Sequence, residues 1–196
     1  MFERFTRSAR DVVKGAAEHA ERAGHDSVEE GHLLLALLDR EGSRASFVLT
    51  ALGAKGRRDS IAAALEEVRR RGGMSRADVD ALAGLGIDLA EIVSRVEQAH
   101  GAGALAGAGA GARGRRGLLG AVRTGPFTPE AKQVLVRALR IVTGQRERQL
   151  GDEHLLLSLT LGANAIADVL AEHGVTEASV RRVLHGGGRG GEAVAG

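Results

Sequence analysis

The 196-residue chain has no cysteine, tryptophan or tyrosine, only two prolines and only four phenylalanines. Without cysteine it can form no disulfide, offer no thiol nucleophile and build no cysteine-ligated zinc site. With so few aromatics its core has to be aliphatic, drawn from the Leu, Ala and Val that dominate a 43% hydrophobic composition. Long β-branched runs are also missing, while strong helix formers abound, so the chain reads as all-α. No apolar run reaches the roughly 18 residues that a membrane span needs. The N-terminus carries Glu3 and Arg4 in place of an apolar stretch, so a secretory leader is not expected and the cytoplasm is the expected compartment. Neither sign of charge prevails: 27 basic against 25 acidic residues leave a net +2. That balance makes no general case for nucleic acid.

Catalytic and metal motifs are missing too. The Gly-rich stretch at 101–125 is followed by no Gly-Lys-Ser/Thr and preceded by no strand, so it is not a phosphate loop. The seven histidines include no His-Glu-x-x-His and no pair at i, i+4. No Ser or Thr has a recognisable base partner. The expectation is a non-enzyme with no cofactor and no metal. Arg113, Arg115 and Arg116 could touch nucleic acid, but the cluster is short, lacks interleaved aromatics and sits in Gly/Ala-rich sequence, which reads better as a flexible linker.

What the chain does contain is an internal repeat, the first thing to settle in any sequence. At a constant offset of 122 residues, Phe5-Thr6-Arg7-Ser8-Ala9 aligns with Phe127-Thr128-Pro129-Glu130-Ala131, and His32-Leu33-Leu34-Leu35-Ala36-Leu37 with His154-Leu155-Leu156-Leu157-Ser158-Leu159. Between Phe5 and Leu37 there are 10 identities in 33 pairs, without a gap. Each copy reads as four helices. Thr6 and Thr128 cap the first helix, with Pro129 at the first helical position of the second copy. Ser27-Val28-Glu29-Glu30 reads as a capping box opening the second helix. Further helices are expected over about Ser43 to Leu52 and Arg58 to Arg71, and in the second copy over Asn164 to Glu172 and Glu177 to Leu184. His32 and His154 hold equivalent places and read as imidazoles that bond a neighbouring turn. Ser75 to His100 is also helical, with a stop-start joint at Leu85-Gly86-Ile87-Asp88, an additional helical pair or spare half-repeat. The expected organisation is residues 1–71 (repeat 1), 72–100 (extra helical insert), 101–125 (linker), 126–185 (repeat 2) and 186–196 (disordered tail).

Met1-Phe2-Glu3-Arg4-Phe5-Thr6, Pro126-Phe127-Thr128-Pro129-Glu130-Ala131-Lys132 and Gly151-Asp152-Glu153-His154-Leu155-Leu156-Leu157 resemble the N-terminal domains of Clp AAA+ unfoldases, of the ClpC type in particular. The resemblance implies two four-helix repeats related by a pseudo-twofold axis. It also implies a protein that binds and does not catalyse. No Walker motif occurs in the 196 residues, so the chain looks like a free-standing N-domain protein, accessory to or competing with a Clp unfoldase or protease. Its implied partners are Clp components, adaptors, substrates marked with phosphoarginine, and cyclic-peptide antibiotics. In the family the phosphoarginine contacts are a Thr at the start of the first helix and a Glu in the Thr-Glu-His segment, once per repeat. Thr128 and Glu153 match both positions; Thr6 matches the first, but Gly31 stands at the second. The second repeat is therefore expected to hold the better site. Glu153 also reads simply as a helix-start carboxylate facing the dipole. Phe2 and Phe127 resemble positions of an apolar antibiotic patch, with core packing as the plain alternative. Two other functions stay open: a structural subunit that docks on the Clp protease complex without a ligand site, and a nucleic-acid binder using the linker arginines.

Overall fold

A computed structural model of the chain describes residues 2–105, 127–162 and 164–186. Most of the expected linker, its arginines, and most of the tail lie outside the described residues. The helices are α1 (Arg7–Arg22), α2 (Glu30–Asp39), α3 (Arg44–Ala51), α4 (Arg58–Arg70), α5 (Arg76–Gly84), α6 (Leu89–His100), α7 (Pro129–Gly144), α8 (Asp152–Leu159), α9 (Ala165–Glu172) and α10 (Glu177–Gly186). The class is all-α, with α1–α4 repeated as α7–α10.

The two repeats are stitched together. α1 packs on α2 and α7 on α8, and the remaining helices pack crosswise, α3 on α10 and α4 on α9. Two short backbone bridges reinforce the exchange, Phe5 with Leu150 and Val28 with Phe127. Each bridge becomes the other under the 122-residue offset. The Thr6 amide donates to the Leu150 carbonyl at 2.9 Å, and the Thr128 amide donates to the Val28 carbonyl at 3.0 Å. The lead-in to each repeat's first helix is thus held by the entry to the other repeat's second helix. A single aliphatic core follows, with Leu33, Leu34 and Leu37 from α2 and Leu155, Leu156 and Leu157 from α8 at its centre. Burying each such leucine contributes about 1.5–3 kcal/mol. The bridges also correct one helix start. α2 begins at Glu30 and not at Ser27, because Val28 is held extended against Phe127.

The pair α5–α6 has the same helix-turn-helix form as α3–α4 and α9–α10. All three turn on a left-handed glycine: Gly53, Gly86 and Gly174, with φ of 70°, 78° and 80°. Around each glycine the same two backbone bonds recur, for example Gly86 to Ala83 at 2.9 Å and Ile87 to Leu82 at 2.9 Å. The residue after the glycine is fully buried in the other two pairs (Ala54 and Val175, both 0%), but Ile87 is 37% exposed. At the fourth residue of the helix that follows, Ile61 and Val180 are 0% exposed and the matching Ile92 is 41%. The third pair is therefore turned outward. It is fastened by polar contacts, Arg70 to Glu97 at 2.9 Å and the Arg76 amide to Asp168 at 2.9 Å, and by the buried Leu89 and Val93 on its inner side.

Candidate functional site

The site is built at helix starts, where unpaired amides and the dipole favour negative charge. Thr6 caps α1: its Oγ1 accepts the Ala9 amide at 3.2 Å and shares a hydrogen bond with Ser8 Oγ at 3.0 Å. Thr128 does the same for α7 through the Ala131 amide at 3.2 Å. Both second helices open with a histidine that closes the cap. The Glu29 amide donates to His32 Nδ1 at 2.9 Å, and the Gly151 amide to His154 Nδ1 at 3.0 Å. A backbone N–H can only donate, so Nδ1 is the acceptor and the proton sits on Nε2 in both rings. His32 Nε2 then donates to His25 Nδ1 at 2.8 Å, and His154 Nε2 to Gln145 Oε1 at 3.1 Å. These histidines hold turns in place.

Glu153 lies in the first turn of α8 with its side chain only 8% exposed. Burial pushes its carboxyl above the usual range, opposed by its own backbone N–H, His154 and Arg44. Its conformation depends on Gly151: a Cβ there would stand 2.1 Å from Glu153 Oε2 and 2.7 Å from Oε1. The repeat shows the exchange. Where the second copy reads Gly151-Asp152-Glu153, the first reads Glu29-Glu30-Gly31. The partner of Glu153 comes from the other repeat. Arg44, the first residue of α3, donates Nη1 to Glu153 Oε1 at 2.8 Å. Asp152 also reaches α3, accepting the Ala45 amide at 3.3 Å.

Thr6, Ser8, Arg40, Ser43, Arg44, Arg148, Asp152 and Glu153 are among the residues lining one groove of about 710 Å³. Its lining includes three arginines and, with Glu147, three carboxylates. This corrects the expected pairing. Glu153 faces Thr6, not Thr128, because the crossed bridges carry the start of α1 to the start of α8. Thr128 instead lines the pseudo-symmetric pocket of about 250 Å³, with Glu30, Gly31, His32, Leu65 and Ile166. There Leu65 of α4 lies 3.7 Å from where a Gly31 Cβ would be, and Gly72 and Gly73 help to close the space. Burial raises the Glu30 carboxyl, with Arg137 opposing at 3.5 Å. The Thr128 pocket is smaller, and four of its lining residues are glutamates (Glu29, Glu30, Glu66 and Glu130).

Phe127 is half-buried against the core beside Val28. Phe2 opens the 3-10 turn leading to Phe5 and its bridge to Leu150, so the two belong to different pseudo-symmetric joints. Oxygen and nitrogen donors of Glu147, Glu153 and His154 come within 4.8 Å of one another. His154 Nδ1 is taken by the Gly151 amide and Glu153 by Arg44, so this cluster is committed to protein partners. Sequence reasoning missed Ser8, Arg44, Arg148 and Gly151. Only Gly151 had a signal, its exchange with Glu29 across the repeat.

Comparison with known proteins decides the family. The sequence profile of the "Clp repeat (R) N-terminal domain" matches residues 4–100 and 126–192, more than half of the chain. The chain belongs to the Clp repeat N-terminal domain family. The match includes residues 72–100, so the α5–α6 pair falls inside the recognised region. Over 196 residues the Clp-domain chain is 31% identical to the ClpA homologue CD4B, a chloroplastic ATP-binding subunit of the ATP-dependent Clp protease from Solanum lycopersicum, covering 99% of this chain and 16% of that protein. It is 30% identical over 182 residues to the chloroplastic chaperone ClpC1 of Arabidopsis thaliana, covering 92% of this chain and 14% of the relative. The chain thus spans about a sixth of the length of these relatives. Among solved structures, the N-terminal domain of ClpD from Arabidopsis thaliana matches with a TM-score of 0.51 at 17% identity, covering 97% of both chains. That likeness concerns the fold alone. Among the described residues no helix is long and apolar enough to cross a membrane.

Proposed function

We propose that this chain is a non-enzymatic binding protein of the Clp system, and that the groove between Thr6 and Glu153 receives a phosphorylated side chain of a protein ligand. One observation carries the reading. The crossed repeats bring a capped helix start, three hydroxyls, three arginines and a buried carboxylate to a single groove. Helix-start amides and arginine forks are the standard means of holding phosphate, and a buried carboxylate holds a guanidinium. A domain with such a groove competes by mass action for adaptors or marked substrates with any other Clp N-domain that binds them. Regulation of proteolysis by sequestration follows. Phosphoarginine-marked proteins are the class suggested by resemblance, and cyclic-peptide antibiotics a further one. Unfoldase activity is not carried over, because the chain covers only 14–16% of the ATP-binding relatives.

The test is an NMR-monitored titration with phosphoarginine and with a phosphoarginine-marked protein. Shifts are expected at Thr6, Ser8, Arg148 and Glu153, with little change at Thr128. Arg148→Glu should weaken binding about tenfold or more, because it removes one charge-assisted contact and adds repulsion. Shifts centred on Thr128, or no binding of either phosphoarginine or a phosphoserine compound at millimolar concentration, would reject the groove. A docking subunit is the second reading, favoured by the outward apolar face of α5–α6 with Leu85 at 77% exposure. Under that reading a Clp unfoldase or peptidase is recovered from extract equally by wild type and by the Arg148→Glu variant.

A further inference from the structure

Arg44 sits where a ligand's guanidinium would have to go. This inference rests on the phosphate-groove reading above and narrows its ligand. The Glu153 side chain is 8% exposed, and Arg44 Nη1 already meets its Oε1 at 2.8 Å. A second guanidinium at that carboxylate meets a like charge, unless Arg44 leaves and takes its hydrogen bond with it. The placement of Arg44 is not explained by its own helix. It opens α3, where a cation opposes the dipole. Aligning the caps Ser43 and Asn164 puts Ala165 at the matching place on α9, and that helix forms without a charge at its first position. What Arg44 has that Ala165 lacks is the contact across the repeat boundary to Glu153.

Its remaining geometry suits an anion. Among the described residues the Arg44 fork makes one hydrogen bond, through Nη1, and its side chain is 62% exposed at the groove. Held by Glu153 at one nitrogen, the guanidinium lines the groove together with Thr6, Ser8 and Arg148 and keeps its other N–H donors for an anion there. We propose that Arg44 is the specificity-determining residue of this groove, supplying internally the guanidinium that the carboxylate would otherwise take from the ligand. The groove therefore selects a phosphate monoester on an alcohol side chain over phosphoarginine.

Calorimetric or NMR titration with N-acetyl-phosphoserine methylamide and with phosphoarginine tests this on wild type, Arg44→Ala and Arg44→Lys, with circular dichroism confirming the helices in each. The wild type should bind the phosphoserine compound more tightly than phosphoarginine. Arg44→Ala vacates Glu153 and should reverse the order, favouring phosphoarginine by about tenfold, the scale of a charge-assisted pair at a buried carboxylate. Arg44→Lys keeps the cation and should keep the wild-type order. A wild type that binds phosphoarginine as tightly or more tightly, or an order unmoved in Arg44→Ala, overturns the role given to Arg44. If Arg148→Glu still abolishes binding in that case, the groove reading survives alone. Failure of all three proteins to bind either compound removes both.

Discussion

Acid should loosen this fold through His32, and the size of the effect follows from its surroundings. The ring is 5% exposed, its Nδ1 accepts the Glu29 amide, and its Nε2 donates to His25. A proton on Nδ1 would remove the acceptor that closes the α2 cap. Burial, aided by His25 and Arg69, lowers its pKa from 6.5 to about 4. In the unfolded chain the imidazole takes up its proton near pH 6.5, while in the fold it resists until about pH 4. Between those values the unfolded state binds more protons, so stability rises with pH there. The contribution is fully present above pH 6.5 and is lost as pH falls towards 4. Linkage puts the loss from this one ring at about 2–3 kcal/mol by pH 4.5, a large share of a typical domain's stability. Urea unfolding at pH 7.5 and 4.5, on the wild type and on His32→Asn, isolates it. Asn can still accept the Glu29 amide but does not titrate. The wild type should lose about 2 kcal/mol more than His32→Asn between the two pH values. A difference below about 1 kcal/mol would refute the assignment of the ring as a neutral, buried acceptor.

Two substitutions test the repeat itself. Arg146 has φ 57° at the place where the first repeat has Gly24 with φ 69°. The Arg146 amide bonds Thr143 at 3.1 Å just as the Gly24 amide bonds Glu21 at 3.0 Å, so Arg146→Gly should stabilise the fold. The expected gain is about 0.5–1 kcal/mol, read as a rise of a few degrees in Tm; an unchanged or lower Tm contradicts it. Ile61→Ala should cost about 2–4 kcal/mol and the matching Ile92→Ala under about 1 kcal/mol. Equal costs in urea titrations would mean that the α5–α6 pair is not turned outward.

The linear repeat made much of this architecture legible. Residues Phe5 to Leu37 and their counterparts carry helical periodicity, threonine caps and a leucine run, which are local features that a sequence displays directly. α1 and α7 start directly after the caps Thr6 and Thr128, and α3 and α4 start within a residue of the expected Ser43 and Arg58. The start of α2 was misplaced because Ser27 offers a plausible cap, while the residue that decides, Phe127, lies far along the chain. The joint at Leu85-Gly86-Ile87 was legible as a stop-start turn. That its apolar residues face solvent was not, because exposure depends on which neighbours are present.

Composition and repetition by themselves determined an all-α chain of two related halves, with Thr6, Thr128 and Glu153 as the residues to examine. Only the tertiary structure decided which of them share a site. Chain order pairs Thr128 with Glu153, but the backbone bridges cross between repeats and pair Thr6 with Glu153. The same crossing brings Arg44 to Glu153 across 109 residues of sequence. A contact of that range is set by how helices from different repeats pack to bury one core, and no local spacing records it.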